Sequence, residues 1–546
     1  MIRLRESLVS IRHNLQNVAF SVPLYSLTLG GNAPLQLLAA PGDPWPGNTQ
    51  TAQNILAGRY AFAGQTFSGT PVPWLPAMAS MDWLEGMHGF GWLRDLRSLG
   101  GDAARRVARA LVSDWLDQFG TSWNSLVWSP HIMGQRIASW LALYDFFWAS
   151  ADDVLRSRIF DSAARQIRHL ARVFPGQASG LPVFQAVLGL VCGSIYLTGN
   201  GRHLSTAMKI LGRELVNQTM PDGGHVDRCP STLLQVLRCL VDIRSALRAG
   251  RVQVPEILQH SIDRMAPALR FFRHGDGGLA LFNGGQEENS LLVEMLLTQA
   301  DARGKPLKSA PHVGFERLLS GRTLVLIDTG RPQTGPDSMA YAGTLSFEMS
   351  VGRERMIVNC GAHPDRTGSW RRALASTAAH STVTVADTNS AEILDRGGLG
   401  RIPEVVRCTR MDTDGASLVE ASHDGYLPVL GLVHHRRFYL ADGGDDLRGE
   451  DTLDGPGGHS FAVRFHLHPS VQVSLTHTGN TALLKLAGGQ GWRFRASGCS
   501  AMAIEEGLYL GGDEPRRTSQ LVLTGVTGED RKATVKWAFQ REKQKD

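Results

Sequence analysis

Apolar residues recur with two different spacings along this chain, and the spacing changes near residue 310. Between residues 100 and 303 they recur every three or four positions, which is the spacing of one face of an α-helix. Val107, Leu111 and Trp115 form one such set. Short polar or Gly/Pro-containing segments separate successive sets, and short connections favour antiparallel neighbours. This half of the chain therefore predicts helical hairpins that follow one another in a toroid or solenoid.

After residue 310 apolar and polar positions alternate, and β-branched residues become frequent. Phe461, Val463 and Phe465, for example, are spaced two positions apart. Gly, Asp and Asn, which favour turns, separate the alternating runs. Many short strands with turn signals between them are typical of an antiparallel β-sandwich rather than of alternating strands and helices.

The length of the chain also favours two large domains. It has 546 residues, whereas a single hydrophobic core stops growing at about 250–300 residues. The first segment is mixed in pattern and rich in Pro, Trp and Gly, so it is interpreted as an arm. The predicted order is an N-terminal arm at 1–60, an incomplete (α/α) toroid at 61–309 and a β-sandwich at 310–546, which is a multidomain α + β fold.

The charge of the chain excludes one class of partner. Lys and Arg number 56 against 51 Asp and Glu, a formal net charge of +5. No run of consecutive basic residues is present, and we find no dense basic face interleaved with aromatics, so nucleic acid is not expected as a partner. Arginine greatly outnumbers lysine, and its planar fork suits carboxylates, sulfates and phosphates. The composition is therefore compatible with an anionic ligand.

Cysteine spacing and hydropathy bear on the compartment. The six cysteines include no CxxC pair and are predicted to be reduced, mostly buried thiols. The N-terminus lacks the apolar stretch of a secretory signal, and no window of 18 or more apolar residues predicts a membrane span. We expect a cytoplasmic protein, with the periplasm or cell envelope as the alternative.

Several short strings occur in an order and spacing that together carry a family resemblance. They are 136–140 (RIASW), 221–225 (PDGGH), 341–348 (YAGTLSFE), 378–385 (AAHSTVTV) and 431–437 (GLVHHRR). In this order they resemble the heparinase II/III family. The resemblance implies a helical toroid followed by a β-sandwich, and β-elimination on an acidic polysaccharide that contains uronic acid and can be sulfated.

This elimination removes the proton beside the uronate carboxylate and expels the 4-linked sugar. It needs groups that neutralise the carboxylate, accept the proton and protonate the leaving oxygen. The resemblance implies that His225 neutralises or accepts the proton, that Tyr426 serves as the acid, and that Arg136 and Arg228 hold carboxylate or sulfate. The alternative interpretation of the loop with His225 is a tight turn between two helices.

Further residues are candidates for contact with the polysaccharide. Trp140 and His88 could belong to a sugar-stacking wall in the toroid, although tryptophan more often packs in a core. Arg436 is a candidate anion-binding residue in the sandwich. His466 and His468 alternate with apolar residues and should leave the same face of one strand, where they line a cleft, complete a metal site or meet solvent.

Zinc is a possible cofactor by resemblance. His380 aligns with a histidine motif of the family, which implies a catalytic or metal-binding role, and His434 lies in the segment that supplies a second ligand. Asp395 is proposed as the acidic third ligand. Because zinc takes three or four N, O or S ligands in a tetrahedral array, these residues would have to meet in one place. The alternative is a set of hydrogen-bonded histidines inside the sandwich.

Two departures from the family pattern favour a different function. No tyrosine lies between residues 196 and 341, and Ala378 stands where active relatives have a catalytic histidine. These departures favour the alternative of a non-catalytic descendant that binds an anionic glycan. A third hypothesis is a hydrolase with facing carboxylates, for which Glu85, Asp95 and Asp222 are the candidates.

Overall fold

A computed structural model describes residues 18–34, 36–39, 42–174, 179–334, 338–363, 368–395, 397–477, 479–512 and 514–542. The chain divides into two compact units. The helical unit comprises Met1–Gln218 and Gln235–Ile262, and the sheet unit comprises Thr219–Leu234 and Asp263–Asp546.

The described part of the chain up to residue 300 is mainly helical, and it also contains a small hairpin of β1 (Arg59–Phe62) and β2 (Gln65–Ser68). The helices are α1 (Pro23–Thr28), α2 (Thr49–Leu56), α3 (Met81–His88), α4 (Leu93–Leu99), α5 (Gly101–Phe119), α6 (Pro130–Ala142), α7 (Tyr144–Phe147), α8 (Asp153–Val173), α9 (Leu181–Cys192), a π-helical segment (Gly193–Thr198), α10 (Gly201–Gln218), α11 (Pro230–Ala249), α12 (Glu256–Phe271) and α13 (Ser290–Ala300).

The predicted apolar faces are the buried faces of these helices. In α5, Leu111 and Trp115 are buried, as the spacing predicts. Helices α6 and α9 pack closely because glycines meet at their contact: a Cβ on Gly134 would lie 2.1 Å from the backbone oxygen of Gln185. Only a residue without a side chain permits this approach.

Among the residues that the structure describes, one helical stretch is long and apolar enough to cross a membrane by length and composition. It is Leu181–Thr198, with a mean hydropathy of 1.7, and 78% of it is buried inside the protein. Core helices of globular proteins pass the same test, so this is weak evidence for a span.

Strands predominate from β3 (Ser309–Ala310) onward, which is where the change of spacing predicts them. They are β4 (Phe315–Ser320), β5 (Thr323–Asp328), β6 (Phe347–Val351), β7 (Glu354–Val358), β8 (Val383–Val385), β9 (Val406–Thr413), β10 (Ala416–His423), β11 (Val433–Leu440), β12 (Asp446–Asp454), β13 (Ser460–Leu467), β14 (Gln472–Leu475), β15 (Thr481–Lys485), β16 (Gly491–Ser497), β17 (Ala501–Tyr509), β18 (Arg516–Val526) and β19 (Lys532–Arg541). Helices α14 (Gly368–Ala375) and α15 (Leu427–Leu430) and the 3-10 turns Thr377–Ala379 and Asp442–Gly444 interrupt them.

These strands form two antiparallel sheets. Sheet A has the order β17-β18-β13-β7-β6-β5-β4-β3, with β8 also paired to β13, and sheet B has the order β14-β15-β16-β19-β12-β11-β10-β9. Their apolar faces share one core, in which Phe347 of sheet A stacks on Trp537 of sheet B with ring centroids 5.5 Å apart. The predicted sandwich is therefore confirmed, while the segment bounds at 60 and 309 stay a prediction.

Candidate functional site

The loop that carries His225 is a tight turn in the sheet unit. Thr219 and His225 form an isolated antiparallel bridge, and Gly223 has a φ of 84°. A Cβ on Gly223 would lie 2.1 Å from the backbone oxygen of Arg264, so the turn requires glycine there. His225 is 3% exposed, and its Nδ1 lies 2.8 Å from Oδ1 of Asp227. The imidazole is therefore held inside the loop by a carboxylate of the same loop.

Arg228 is bound within the protein rather than presented to a ligand. Its Nε donates to the backbone oxygen of Val313 at 2.7 Å, and its guanidinium forms an ion pair with Asp328. The guanidinium also lies 4.8 Å from the ring centroid of Phe315. Arg228 is only 5% exposed, so the prediction that it holds a substrate carboxylate is corrected: the carboxylate that it holds is that of Asp328.

Tyr426 lies in the core of the sandwich. It is fully buried, and its hydroxyl donates to the backbone oxygen of Val383 at 2.6 Å. Burial raises the pKa of the phenol. The prediction that Tyr426 protonates a leaving oxygen is therefore corrected, because the hydroxyl faces a strand of its own domain and not solvent.

His434 and Arg436 belong to a buried polar network between the sheets. His434 Nε2 lies 2.8 Å from Asp451 Oδ1, and Arg436 Nε lies 2.8 Å from the same oxygen. The indole nitrogen of Trp537 donates to the other carboxylate oxygen at 2.8 Å. Burial alone would raise the pKa of Asp451, but the charge of Arg436 and the hydrogen bond from His434 outweigh it and lower that pKa. The prediction that Arg436 binds an anionic ligand is therefore corrected. Asp451 neutralises its guanidinium inside the sandwich, so Arg436 is not exposed to a ligand.

The tautomers in this network follow from one backbone donor. The N–H of Gly425 donates to His423 Nδ1 at 3.1 Å, so the proton of neutral His423 is on Nε2. His423 Nε2 donates this proton to His434 Nδ1, which lies 3.2 Å away. His434 therefore carries its own proton on Nε2 and donates it to Asp451. Both imidazoles are neutral in this chain of bonds, and burial lowers the pKa of each.

The three predicted zinc ligands do not meet. His380 Nδ1 donates to the backbone oxygen of Ser376 at 2.8 Å, while Asp395 is exposed and forms a 3.1 Å ion pair with Arg372. His434 is bound to Asp451 and His423 as above. Burial lowers the pKa of His380 to about 4. Across the described ranges no group of three or more His, Cys, Asp or Glu could hold a metal ion, so the predicted ligand set does not fit zinc.

Arg136, His88 and Trp140 form part of the core of the helical unit. Arg136 is fully buried and donates to Gln166 Oε1 at 2.8 Å and to the backbone oxygen of His88 at 2.9 Å. Its guanidinium lies 4.4 Å from the ring centroid of Trp115, which also packs edge-on against Trp140. His88 and Trp140 are 0% exposed. The predicted sugar-binding wall is corrected to a packed aromatic core, because none of the three side chains reaches solvent.

The carboxylates nominated for hydrolysis have separate partners. Glu85 lies 3.0 Å from His131 Nε2, and Asp95 accepts from the backbone N–H of Asn48 at 2.7 Å. Asp222 accepts from two consecutive backbone N–H groups at 2.8 and 3.0 Å. Burial raises the pKa of Asp95 to about 6. Each carboxylate is thus bound to a different part of the protein, and these bonds give no support to a pair of facing carboxylates.

Two loop residues that were not predicted as site residues, Asn283 and Tyr341, lie near His380. Asn283 has a φ of 50° and donates from Nδ2 to the backbone oxygen of Arg228 at 3.2 Å. Its Oδ1 accepts from the backbone N–H of Tyr341 at 3.3 Å, and the ring of Tyr341 lies 5.8 Å from that of His380. Both Asn283 and Tyr341 are buried. The Asn-Gly-Gly sequence that begins at Asn283 is the sequence signal for this loop, because Asn and Gly adopt left-handed backbone conformations more readily than other residues.

A second missed cluster combines a tyrosine with a carboxylate. The hydroxyl of Tyr509 donates to Glu287 Oε1, and His468 Nε2 and an Arg516 nitrogen lie 3.7 and 3.8 Å from that oxygen. Burial would raise the pKa of Glu287, but the hydrogen bond from His468 and other neighbours lower it to about 2. Glu287 is therefore ionised at neutral pH. His466, predicted to share a face with His468, is buried, and its Nε2 donates to a backbone oxygen at 2.9 Å.

Comparison with known proteins identifies relatives of this chain. Residues 302–538 match the family described as Heparinase II/III-like, C-terminal. FtsZ-localized protein C of Caulobacter vibrioides (strain NA1000 / CB15N) is 32% identical over 537 residues, which cover 92% of this chain and 90% of that protein.

Solved structures share the fold at low identity. The crystal structure of heparinase III has a TM-score of 0.71 and 13% identity, covering 90% of this chain and 84% of that one. The heparan sulfate lyase HepC from Pedobacter heparinus has a TM-score of 0.60 and 15% identity, covering 99% and 89%. At these identities the likeness concerns the fold, and it confirms the prediction of a toroid followed by a β-sandwich.

Proposed function

Because this chain belongs to the heparinase II/III family, a family of polysaccharide-lyase-like proteins, we propose that it binds an acidic polysaccharide without cleaving it. One observation carries the proposal. The side chains nominated for proton transfer, His225, His380 and Tyr426, are each at most 3% exposed and are each bonded inside the sheet unit.

Elimination places strict demands on these groups. A base and an acid must come within hydrogen-bond reach of the same sugar, about 2.6–3.2 Å between heavy atoms. The Tyr426 hydroxyl cannot meet this demand without leaving the sandwich core, where its bond to Val383 would be lost. His380 is 3% exposed and its Nδ1 is bonded to the backbone oxygen of Ser376, and burial, which lowers its pKa to about 4, makes it a weak base. These features support loss of the elimination chemistry.

The departures in sequence agree with this proposal. No tyrosine lies between residues 196 and 341, and the family resemblance implies a catalytic histidine at the position where this chain has Ala378. Tyr341, the next phenol along the chain, is 5% exposed and packs against His380. These candidates therefore offer a ligand no exposed acid–base pair.

Two measurements on the purified protein test the proposal. The first follows the ultraviolet absorbance of unsaturated uronate with heparan sulfate, hyaluronan, alginate and bacterial exopolysaccharides as substrates. The second measures binding to the same panel by calorimetry. We expect a flat absorbance trace together with saturable binding to at least one polymer. A rise in absorbance that His225→Ala abolishes would establish a lyase instead, and absence of binding to every polymer would reject the glycan function.

The relative from Caulobacter supports a second candidate function. FtsZ-localized protein C is 32% identical over 92% of this chain, and its name records localisation with FtsZ. We propose that this chain also associates with FtsZ. Co-sedimentation with FtsZ polymers tests the association, with bovine serum albumin as the control for trapping. We expect the chain to pellet only when FtsZ polymers are present, and recovery in the supernatant in both cases would reject this candidate.

A further inference from the structure

The outer face of sheet B carries an excess of positive charge. Side chains on strands of this sheet alternate between the sandwich core and solvent. The cations at outward positions are Arg407, Arg437, Arg448, Lys485, Arg493, Arg495, Lys532 and Lys536, and the carboxylates are Glu420, Asp446, Glu450 and Asp454. Even without Arg493, which pairs with Glu542, cations outnumber carboxylates seven to four. Such a face attracts polyanions.

A groove of about 320 Å³ lies on this face. Its floor includes a row of cross-strand neighbours, in which each residue lies opposite the next on the adjacent strand. The row is Arg407, Ser422, His435 and Thr452. Guanidinium, imidazole and hydroxyl groups in one row offer several hydrogen-bond donors and acceptors but no carboxylate. We call these four residues the polar row.

Most carboxylates beside the polar row already have cationic partners. Glu420 lies 2.7 Å from Arg437, and Glu450 lies 3.6 Å from Arg437 and 3.8 Å from Lys536. Arg407 and Lys532, which line opposite sides of the groove, have no such ion pair in the part of the chain that the structure describes. They remain available to an anionic ligand.

We infer that the outer face of sheet B is a binding surface for an acidic polysaccharide. The inference rests on the proposed function and gives it a location, which is the groove from Arg407, the first residue of the polar row, to Lys532 on β19. Neighbouring strands are about 4.8 Å apart, so the four strand spacings from β9 to β19 extend over about 19 Å. That length accommodates several sugar units, with carboxylates or sulfates at the two cations and hydroxyls along the row.

The chemistry of the face favours a sugar polymer over an acidic peptide. Extended peptides bind sheets mainly by adding a strand to an edge, where backbone groups are unpaired. Backbone groups within the face are already paired to neighbouring strands. Ser422 and His435 instead offer side-chain groups to hydroxyls, and Tyr439 on the same face is 40% exposed and offers a flat ring to a sugar.

The test compares two double variants with the same loss of charge. Arg407→Gln/Lys532→Gln removes the two cations of the groove, whereas Arg202→Gln/Arg372→Gln removes two exposed cations elsewhere. Calorimetry with the polyuronate or heparan sulfate that the wild type binds gives each Kd. We expect about tenfold weaker binding by the groove variant, with a reduced salt dependence, because two exposed charge contacts are lost. The control variant should retain the wild-type Kd.

The other outcomes separate the two proposals. If the wild type binds no polymer, the proposed function and the binding surface inferred from it both fail. If the wild type binds and the groove variant binds equally well, the location is wrong and the function stands. Equal weakening in both variants would mean attraction by net charge alone, and equally strong binding of polyglutamate would mean that the face does not recognise sugars. Either result overturns the inference.

Discussion

The two faces of strand β11 use the same residue types for opposite purposes. His434 and Arg436 point into the sandwich, where Asp451 binds both. His435 and Arg437, their immediate neighbours, point outward and are exposed. The His-His-Arg-Arg string thus contributes one histidine and one arginine to a buried network and one of each to a solvent-facing groove.

This comparison separates structural from ligand-binding roles within one motif. A buried arginine needs an internal anion, because an unpaired charge away from water is very costly. An exposed arginine is hydrated, and it can exchange water for a ligand at little cost. Strand alternation therefore decides which side chains of the string are accessible. Only His435 and Arg437 can contact a polysaccharide.

The largest expected effect is on the inner face. Asp451→Ala would leave Arg436 charged and without its carboxylate inside the core, and it would also remove the acceptor for His434 and Trp537. Breaking a buried ion pair from one side costs about 3–5 kcal/mol. We expect the free energy of unfolding in urea to fall by about that amount.

The matched control for Asp451 lies on the same strand. Asp454 is exposed on the outward face, and we expect Asp454→Ala to change the free energy of unfolding by at most about 0.5 kcal/mol. Equal effects of the two substitutions would contradict the division of the strand into a structural and an exposed face.

The second effect is a dependence of stability on pH that comes from buried histidines. In the folded state the pKa of His380 is about 4, below the ordinary value of 6.5. A histidine with a lowered pKa binds its proton more readily in the unfolded chain, so stability falls as the pH falls from about 6.5 to about 4. The loss from His380 approaches about 3 kcal/mol at the lower limit.

Urea unfolding at several pH values between 7 and 4 checks this effect. We expect His380→Gln to flatten the dependence, and His435→Gln, on the outer face, to leave it as in the wild type. A wild-type free energy of unfolding that rises on acidification would contradict the assignment of buried neutral imidazoles.

The sequence predicted the fold well because the fold depends on periodicity. The change of spacing near 310 coincides with β3 at Ser309–Ala310, and the alternation in 461–467 gives strand β13. The strings resembling heparinase II/III proteins were enough to identify the family. Neither signal requires knowledge of which residues meet across the fold.

The site was predicted less well because residue type does not determine burial. Arg136 was nominated because arginine binds anions, yet it serves as a hydrogen-bond donor in a helical core. Tyr426 was nominated as a phenol, yet its hydroxyl caps a strand oxygen at Val383. The alternation in strand β11 indicates that His435 and Arg437 face outward, whereas the family resemblance implies a role only for His434 and Arg436.

A moderate effect is expected from Tyr426→Phe. The variant keeps the ring in the core but removes the donor to the Val383 oxygen, leaving a buried acceptor without its bond. The expected loss is about 1–2 kcal/mol in the free energy of unfolding. Calorimetric binding to an acidic polysaccharide should be unchanged, because the hydroxyl is not exposed. Weaker binding by a variant that remains folded would return Tyr426 to the ligand site.

The smallest effect on stability is expected on the outer face. Arg437→Met keeps the length of the side chain and removes its ion pairs with Glu420 and Glu450, which are exposed to solvent and contribute at most about 1 kcal/mol. The same substitution leaves both carboxylates beside the polar row without this cation, so repulsion should weaken binding of an acidic polysaccharide more than it weakens the fold. Urea unfolding and calorimetry on one preparation measure both quantities. A large loss of stability with unchanged binding would show that Arg437 resembles its inward neighbour Arg436, and the distinction between the two faces would then fail.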